Sequence, residues 1–348
     1  MDDKRNILLA VILTAGILFG WPVISGYFFP AANPPVTKVQ GGKETPLPQT
    51  QTAPAAESAQ AIRDRAVVLR ESPRVAIDTP KLKGSINLKG ARIDDIVLPT
   101  HKETIAKDSP PVRLFSPSGT SDAYFASFAW SGEGMKLPDA NSVWTADRTT
   151  LTPASPVTLR WDNGAGQRFV MKLSVDSDYM ITVAQTVENA GSAGVVARPY
   201  GLLSRTGPSK DHSTWTIHTG PVGVFNGAAN YSVDFKELDE EGDKRFPTTG
   251  GWLGFTDLYW HAALIPAQSL PVEAQFRSGA NQRYQADMTY APGAIAPGKS
   301  ATVTSRLFVG AKETAVLERY TDQEGVALFD RAIDWGWFRW FEKPIFYL

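Results

Sequence analysis

The sequence predicts a mainly β protein, built as a large antiparallel sandwich. Apolar and polar residues alternate with a period of two through much of residues 63–311, and one clear run is Phe169, Met171, Leu173 and Val175. Such alternation places one face of each strand in a core. Turn signals such as Asn163-Gly164 lie between the runs, and no helical stretches alternate with them. The pattern therefore favours antiparallel sheets over a parallel α/β fold.

An uncharged apolar run, Ile7–Phe29, opens the chain and predicts a transmembrane anchor over residues 6–29. As a helix it would reach roughly 35 Å, and a hydrocarbon core is about 30 Å thick. Lys4 and Arg5 directly precede the run, so residues 1–5 are expected in the cytoplasm and the rest outside. The alternative is a cleaved signal peptide, whose apolar core is usually only about 7–15 residues long. We expect a retained anchor.

Residues 30–62 are rich in Pro, Gln, Thr, Ala and Gly and contain no aromatic residue. Such a composition cannot bury enough apolar surface to offset the entropy lost on ordering, which is about 1–2 kcal/mol per residue. We therefore expect a disordered linker between the anchor and the sandwich.

The pattern becomes helical from residue 312, and we expect a helical segment over residues 312–343. Apolar residues then recur three or four apart, at Val326, Phe329, Ile333, Trp337 and Trp340. This spacing predicts an amphipathic helix. Its aromatic side chains cluster at Trp335, Trp337, Phe338, Trp340 and Phe341. Because aromatic rings such as that of Trp suit the headgroup level of a membrane, we expect these five at the membrane interface, the alternative being packing on the sandwich.

The charge balance and the lack of cysteine exclude several classes of protein. The 35 Lys and Arg residues nearly balance the 36 Asp and Glu residues, so no field suited to nucleic acid is expected. With no cysteine, the chain has neither a disulfide framework nor a cysteine metal site.

One segment, Gly293–Ser300, has the spacing of a phosphate-binding P-loop. A working P-loop cradles phosphate with successive backbone N–H groups, and Pro297 lacks one. The residues that follow, Ala301–Val309, alternate as a strand rather than open a helix. We therefore expect a hairpin turn here.

The remaining search for catalytic, cofactor or metal residues is also negative. The four histidines, His101, His212, His218 and His261, lack metal-binding spacing and are expected on the surface or in packing roles, although His212 and His218 could line a sugar site. The run Tyr231, Val233 and Phe235 alternates as a strand. The acidic run Glu237–Asp243 lacks the ligand positions of a calcium loop and is expected to be a solvated loop.

Several segments, taken in chain order, carry a resemblance to a known family. They are MDDKRNILLAVIL at the start, GGWLGFTDLYW at 250–260 running into AALIP at 262–266, LFVG at 307–310, IDWGWF at 333–338 and KPIF at 343–346. Together they resemble the YidC membrane-protein insertases of Gram-negative bacteria. None of these segments is a catalytic signature.

The resemblance implies a periplasmic β-supersandwich similar to sugar mutarotases, anchored in the inner membrane by the first helix. It implies an insertase and chaperone for nascent inner-membrane proteins, working alone or with the Sec translocon, in contact with the lipid bilayer and without cofactor or nucleic acid. Residues 344–348 would begin a second transmembrane helix, so the five-helix membrane core of the family is expected beyond Leu348. The alternatives are a membrane-anchored periplasmic adaptor, or a mutarotase-like carbohydrate-active enzyme, which would need histidine and carboxylate side chains in one cleft.

Overall fold

The structure, a computed structural model, describes residues 62–209 and 218–334. The predicted anchor, most of the predicted linker and all five predicted interface aromatic residues lie outside these ranges. Among the described residues, no helix has both the length and the apolar character needed to cross a bilayer.

Strands dominate the described residues. In chain order they are β1 (Arg74–Asp78), β2 (Lys83–Asn87), β3 (Arg92–Lys102), β4 (Pro111–Phe115), β5 (Tyr124–Glu133), β6 (Thr145–Ala146), β7 (Thr150–Leu151), β8 (Val157–Asp162), β9 (Gln167–Val175), β10 (Met180–Asn189), β11 (Val195–Thr206), β12 (Gly220–Phe225), β13 (Ala228–Asn230), β14 (Lys244–Thr249), β15 (Trp252–Thr256), β16 (Trp260–Ile265), β17 (Pro271–Gly279), β18 (Arg283–Tyr290), β19 (Gly293–Ile295) and β20 (Lys299–Ala311). The helices are α1 (Arg65–Val68), α2 (Phe235–Glu241), α3 (Thr314–Asp322) and a 3-10 turn (Phe329–Ala332).

The strands form two sheets. The larger has eleven strands, with the order β14-β17-β18-β11-β5-β3-β2-β1-β7, while β19 pairs with β11 and β4 with β3. The smaller has nine, in the order β13-β12-β15-β16-β20-β10-β9-β8-β6. Among these pairings only that of β1 with β7 is parallel. The prediction of a mainly β, antiparallel fold is therefore confirmed.

The period-two pattern matches the pairing of the strands. In the neighbours β9 and β10, Leu173 lies opposite Val183, and both side chains are buried. The turn between β8 and β9 is the predicted Asn163-Gly164, where the Asn163 Oδ1 accepts a hydrogen bond of 2.8 Å from the Ala165 N–H. Gly164 has φ 76°, a conformation that glycine adopts without steric cost.

Both sheets contribute to one hydrophobic core. It includes Ile93 and Leu203 from the larger sheet and Leu264 and Leu307 from the smaller, each almost fully buried. A second, small cluster lies apart from this core on the larger sheet and contains Phe125, Tyr200 and Leu202.

The segment with P-loop spacing is a turn, as expected. Gly298 has φ 72°, and its N–H donates to the Asn189 carbonyl over 2.7 Å. The turn is not a hairpin, however, because β19 pairs with β11 in the larger sheet and β20 with β10 in the smaller. It carries the chain from one sheet to the other.

Two local predictions are wrong, namely a strand at Tyr231–Phe235 and a solvated loop at Glu237–Asp243. Phe235–Glu241 is a helix, and the Asp234 carboxylate caps it by accepting from the Glu237 N–H over 2.7 Å. The favourable cap outweighs a short alternating pattern that has no neighbouring strand to pair with.

The helical segment expected over residues 312–343 is described only as far as Asp334. Helix α3 spans Thr314–Asp322. The backbone then leaves the helical conformation at Gly325 (φ 67°) and Leu328 (φ 49°), before the 3-10 turn. Val326 and Phe329, the first two positions of the predicted amphipathic face, are fully buried in the sandwich core. The prediction of a continuous amphipathic helix starting at Val326 is therefore wrong. The backbone is interrupted at Leu328, and the first positions of the predicted face pack in the core.

Candidate functional site

A groove of about 510 Å³ opens beside the edge strand β14. Its walls come from β14, the start of β17 and the end of β18, and its lining residues are Arg198, Asn226, Pro247, Thr248, Thr249, Pro271, Val272, Glu273, Thr289, Ala291 and Pro292. The turn at Asn226 fixes one rim, since its side-chain amide donates to the Pro247 carbonyl over 3.0 Å.

One ion pair dominates the chemistry of this groove. Arg198 donates from Nε to the Tyr290 carbonyl over 2.8 Å, and its Nη2 lies 3.1 Å from the Glu273 Oε2. The Glu273 side chain is 70% exposed, and an exposed ion pair of this kind contributes only about 0–1 kcal/mol. The groove therefore presents a fixed cation, threonine hydroxyls and proline rings. With one carboxylate and no histidine, cysteine or lysine, the lining suits binding rather than acid–base catalysis.

The larger sheet also carries charged residues outside the groove, and these form arginine–aspartate ion pairs. Arg277 lies 2.7 Å from the Asp287 Oδ1, and Arg74 forms an ion pair with Asp94. Burial raises the pKa of both carboxyl groups, and the paired guanidinium opposes the rise in each case. Neither carboxylate is free to act as an acid or a base.

The three histidines in the described ranges do not converge. His261 is buried in the core, with its Nδ1 3.1 Å from the Phe255 carbonyl. His218 contacts the Pro221 carbonyl over 2.7 Å and lies beside the ring of Tyr231. His101 packs edge-on against Trp260. Within residues 62–209 and 218–334, no group of three His, Cys, Asp or Glu side chains could hold a metal ion. The fourth histidine, His212, lies outside these ranges.

A partly buried polar network ties the C-terminal helical segment to the sandwich. Lys81, between β1 and β2, lies 2.8 Å from Asp178 and 2.7 Å from Glu313, at the start of α3. The Tyr320 hydroxyl donates to the Asp176 Oδ2 over 2.6 Å. These contacts hold α3 against the sandwich.

The structure does not describe the site residues predicted from the sequence. Lys4, Arg5, Trp335, Trp337, Phe338, Trp340 and Phe341 all lie outside the described residues. Conversely, the groove and the α3 network were not predicted. Arg198 and Glu273 are 75 positions apart in the sequence, and Lys81 and Glu313 are 232 apart. No local pattern in the sequence links such residues.

The fold defines the chain as a large two-sheet β domain, and its described part contains no assembled catalytic group. Residues 74–348 match the family model of the YidC periplasmic domain. The chain is also 46% identical to the membrane protein insertase YidC of Zymomonas mobilis, with 100% of this chain and 60% of the relative covered. The corresponding protein of Bradyrhizobium diazoefficiens is 39% identical, with 99% and 61% covered.

The chain therefore belongs to the YidC family. It spans about 60% of the length of these curated relatives.

Two solved structures resemble the fold more distantly. A galactose mutarotase-like protein of Lactobacillus casei has a TM-score of 0.48 at 10% identity, covering 68% of this chain and 99% of that one. A galactose mutarotase related enzyme of Lactobacillus acidophilus has a TM-score of 0.47 at 10% identity, covering 68% and 97%. Likeness at this level supports no functional inference for this chain.

Proposed function

We propose that this chain acts in a membrane protein insertase and chaperone that helps to integrate and fold inner-membrane proteins. The observation that carries the proposal is the 46% identity to a membrane protein insertase over the whole of this chain. Nascent inner-membrane proteins are the proposed substrates, and the Sec translocon is a proposed partner.

The proposed contribution of the β domain is binding and positioning without covalent chemistry. The groove around Arg198 presents polar and apolar surface, and the buried carboxylates Asp94 and Asp287 are each paired with arginine. A mutarotase-like enzyme would need histidine and carboxylate groups in one cleft, and within the described residues the three histidines are dispersed.

The proposed location is the bacterial inner membrane, with the bulk of the chain in the periplasm. Lys4 and Arg5 would hold the amino terminus in the cytoplasm. Trp335, Trp337, Phe338, Trp340 and Phe341 would lie in the outer headgroup layer, where aromatic rings combine apolar contact with polar surroundings.

A chimera tests the proposal. This chain would replace the matching 60% of the Zymomonas mobilis insertase, and the chimera would be expressed in a strain depleted of its own insertase. We expect restored growth and restored insertion of a dependent membrane protein. A matched chimera lacking residues 7–29 should not restore growth. A stable, membrane-bound chimera that fails to support insertion would contradict the proposal.

A further inference from the structure

Strand β14 is the longest of the four strands at which the two sheets end. The larger sheet runs from β14 to β7, and the smaller from β13 to β6. Strand β14 has six residues, whereas β13 has three and β6 and β7 have two each. A short terminal strand offers few unpaired N–H and C=O groups, but a longer one is a template for pairing with another chain. The edge at β14 is therefore the one that most needs protection.

The contacts of β14 show which of its backbone groups face away from its neighbour β17. In an antiparallel strand, successive residues direct their N–H and C=O groups to opposite sides. The side chain of Asn226, in the turn between β12 and β13, bonds to the Pro247 carbonyl and to the Thr249 N–H. That turn belongs to the smaller sheet. Pro247 and Thr249 therefore face outward, and by alternation so does Arg245.

Pro247 removes the donor at the centre of this outward edge. Proline has no N–H, and in a sheet it is confined to places where no ladder bond is lost. Pro247 lies opposite Glu273 of β17, and its ring is exposed. Because its nitrogen faces outward, the pairing of β14 with β17 loses nothing. A strand added on the outside would find no N–H group at this position.

Asn226 occupies two of the remaining groups of the edge. Its Nδ2 donates to the Pro247 carbonyl over 3.0 Å, and its Oδ1 accepts from the Thr249 N–H over 3.4 Å. The side chain thus makes the two bonds that a neighbouring strand would make. Asn226 (φ 51°) and Gly227 (φ 79°) form the Asn-Gly turn typical of two-residue hairpins. Aspartate also suits such turns, but its carboxylate cannot donate to the carbonyl.

Charged side chains protect the start of β14. The Lys244 Nζ lies 2.7 Å from the Glu237 Oε1 and 2.5 Å from the Glu241 Oε2, both on α2. The next residue, Arg245, is exposed. Charged residues on a terminal strand disfavour the addition of another strand. Charge, proline and asparagine therefore follow one another along the same edge.

We propose that Asn226 and Pro247 form an edge guard, which prevents β14 from pairing with β14 of a second copy of this chain. A second copy is the occupant that the edge fits, because one edge presented twice is self-complementary about a two-fold axis. With the axis at Pro247, Arg245 of each copy would lie opposite Thr249 of the other. The two larger sheets would then become one continuous sheet. The edge guard is independent of the insertase function proposed above.

Site-specific crosslinking tests the edge guard, and the lack of cysteine in the chain allows a single one to be introduced. The double variant Asn226→Gly, Pro247→Thr removes the guard. Glycine suits the turn, and threonine is a strand former at an exposed position. Thr249→Cys reports pairing at β14 in the full chain in detergent micelles. The bismaleimide crosslinker must span about 13 Å, which is four residues at about 3.3 Å each.

Two matched controls accompany the double variant. Thr145→Cys is the control for the position of the probe, because Thr145 is an exposed threonine on β6, the terminal strand of the other sheet. Asn163→Gly is the control for the change of turn. Asn163 is also followed by glycine, but its Oδ1 accepts from the Ala165 and Gln167 N–H groups within its own hairpin.

We expect the double variant to give about five-fold or more crosslinked dimer at position 249, since two backbone groups per copy become free and one net hydrogen bond is worth about that factor. Crosslinking at position 145 should not change. The unchanged chain and Asn163→Gly should show only the background level at position 249. The single variants Asn226→Gly and Pro247→Thr should each give a smaller rise, which keeps the test valid if the double variant does not fold.

Three results would overturn the edge guard. One is equal crosslinking at position 249 with and without the guard, in chains whose circular dichroism shows the same fold. Another is efficient crosslinking at position 249 in the unchanged chain, because β14 would then already be paired. The third is an equal rise at positions 249 and 145, which would indicate aggregation without pairing at β14.

Discussion

At the scale of single residues, the most unusual ionisable group is His261, which is fully buried among aromatic rings. Trp252 packs edge-on against it at 5.2 Å, and the Nε2 atom has no hydrogen-bond partner. Burial, with a smaller effect from the positive charge of Lys312, lowers the pKa of His261 to about 3. The ring is therefore neutral in the folded protein at neutral and mildly acidic pH.

This buried ring should make the domain sensitive to acid. Between pH 6.5 and about 3 the unfolded chain binds a proton at His261 that the folded chain does not, so stability falls as the pH is lowered through this window. The effect is at most about 1.4 kcal/mol per pH unit. We expect urea titrations at pH 7.5 and pH 4.5 to show a smaller difference for His261→Phe than for the unchanged protein.

Phe329→Leu is the control for this prediction, because Phe329 packs on His261 at 5.9 Å and does not titrate. It should lower the unfolding free energy by a similar amount at both pH values. An unchanged pH dependence in His261→Phe would show that other groups are responsible.

Gly310 explains one of the segments on which the family resemblance was based. A Cβ atom at this position would lie 2.2 Å from the Tyr179 Cγ, and Tyr179 is itself fully buried. We expect Gly310→Ala to destabilise the domain by about 1–3 kcal/mol or more, because a packed core accommodates extra volume poorly. Gly293→Ala is the matched control, since the nearest atom to its Cβ would be the Ala197 oxygen at 3.8 Å. Equal midpoints of the two variants in chemical denaturation would refute this explanation.

At the scale of the elements, the sequence predicted those strands and turns whose conformation depends on residues adjacent in the chain. The alternation in β9 and the Asn163-Gly164 turn both follow from local preferences. Helix α2 was missed, although a signal existed, because Asp234 stands three residues before Glu237 in the spacing of a capping box. A period-two pattern of only three residues is weaker evidence for a strand than this cap is for a helix.

The C-terminal segment divides near Ile333 into a part that packs on the sandwich and a part predicted to bind lipid. Phe329→Ala should lower the stability of a fragment starting at Ile62 by about 3–5 kcal/mol, because its ring is fully buried. Replacing Trp337 and Trp340 with Ala should weaken binding of the same fragment to liposomes and leave its thermal midpoint nearly unchanged. The fragment starts at Ile62 so that it keeps the Asp64 cap of α1.

Liposome flotation and thermal denaturation of these variants measure the two effects separately. A large loss of stability in the double Trp variant, without a change in lipid binding, would place residues 337–340 in the sandwich core. Weaker lipid binding by Phe329→Ala in its folded state would show that the boundary lies before Ile333.

At the scale of the whole molecule, the order of strands in the two sheets was beyond the reach of the sequence. Strand β11 pairs with β5 and β18, and β20 pairs with β10 and β16, so strands in the middle of each sheet pair with partners distant in the chain. Period-two patterns identify a buried face but contain no information about which strand lies alongside. The groove near Arg198 depends on that order, since β11, β14, β17 and β18 all contribute to its lining. For the same reason the sequence could not reveal it.

The topology of the whole chain remains a prediction, and it depends on the first thirty residues of the sequence. Lys4 and Arg5 precede an uncharged run long enough to span the bilayer, and basic residues remain on the cytoplasmic side. We expect protease added to spheroplasts to cut within residues 30–61, a segment without aromatic residues, and to release a stable fragment that contains the described strands. Intact cells, whose outer membrane excludes the protease, provide the control. Protection of this segment in spheroplasts, or a mature chain beginning near Ala31, would contradict a retained anchor with its amino terminus inside.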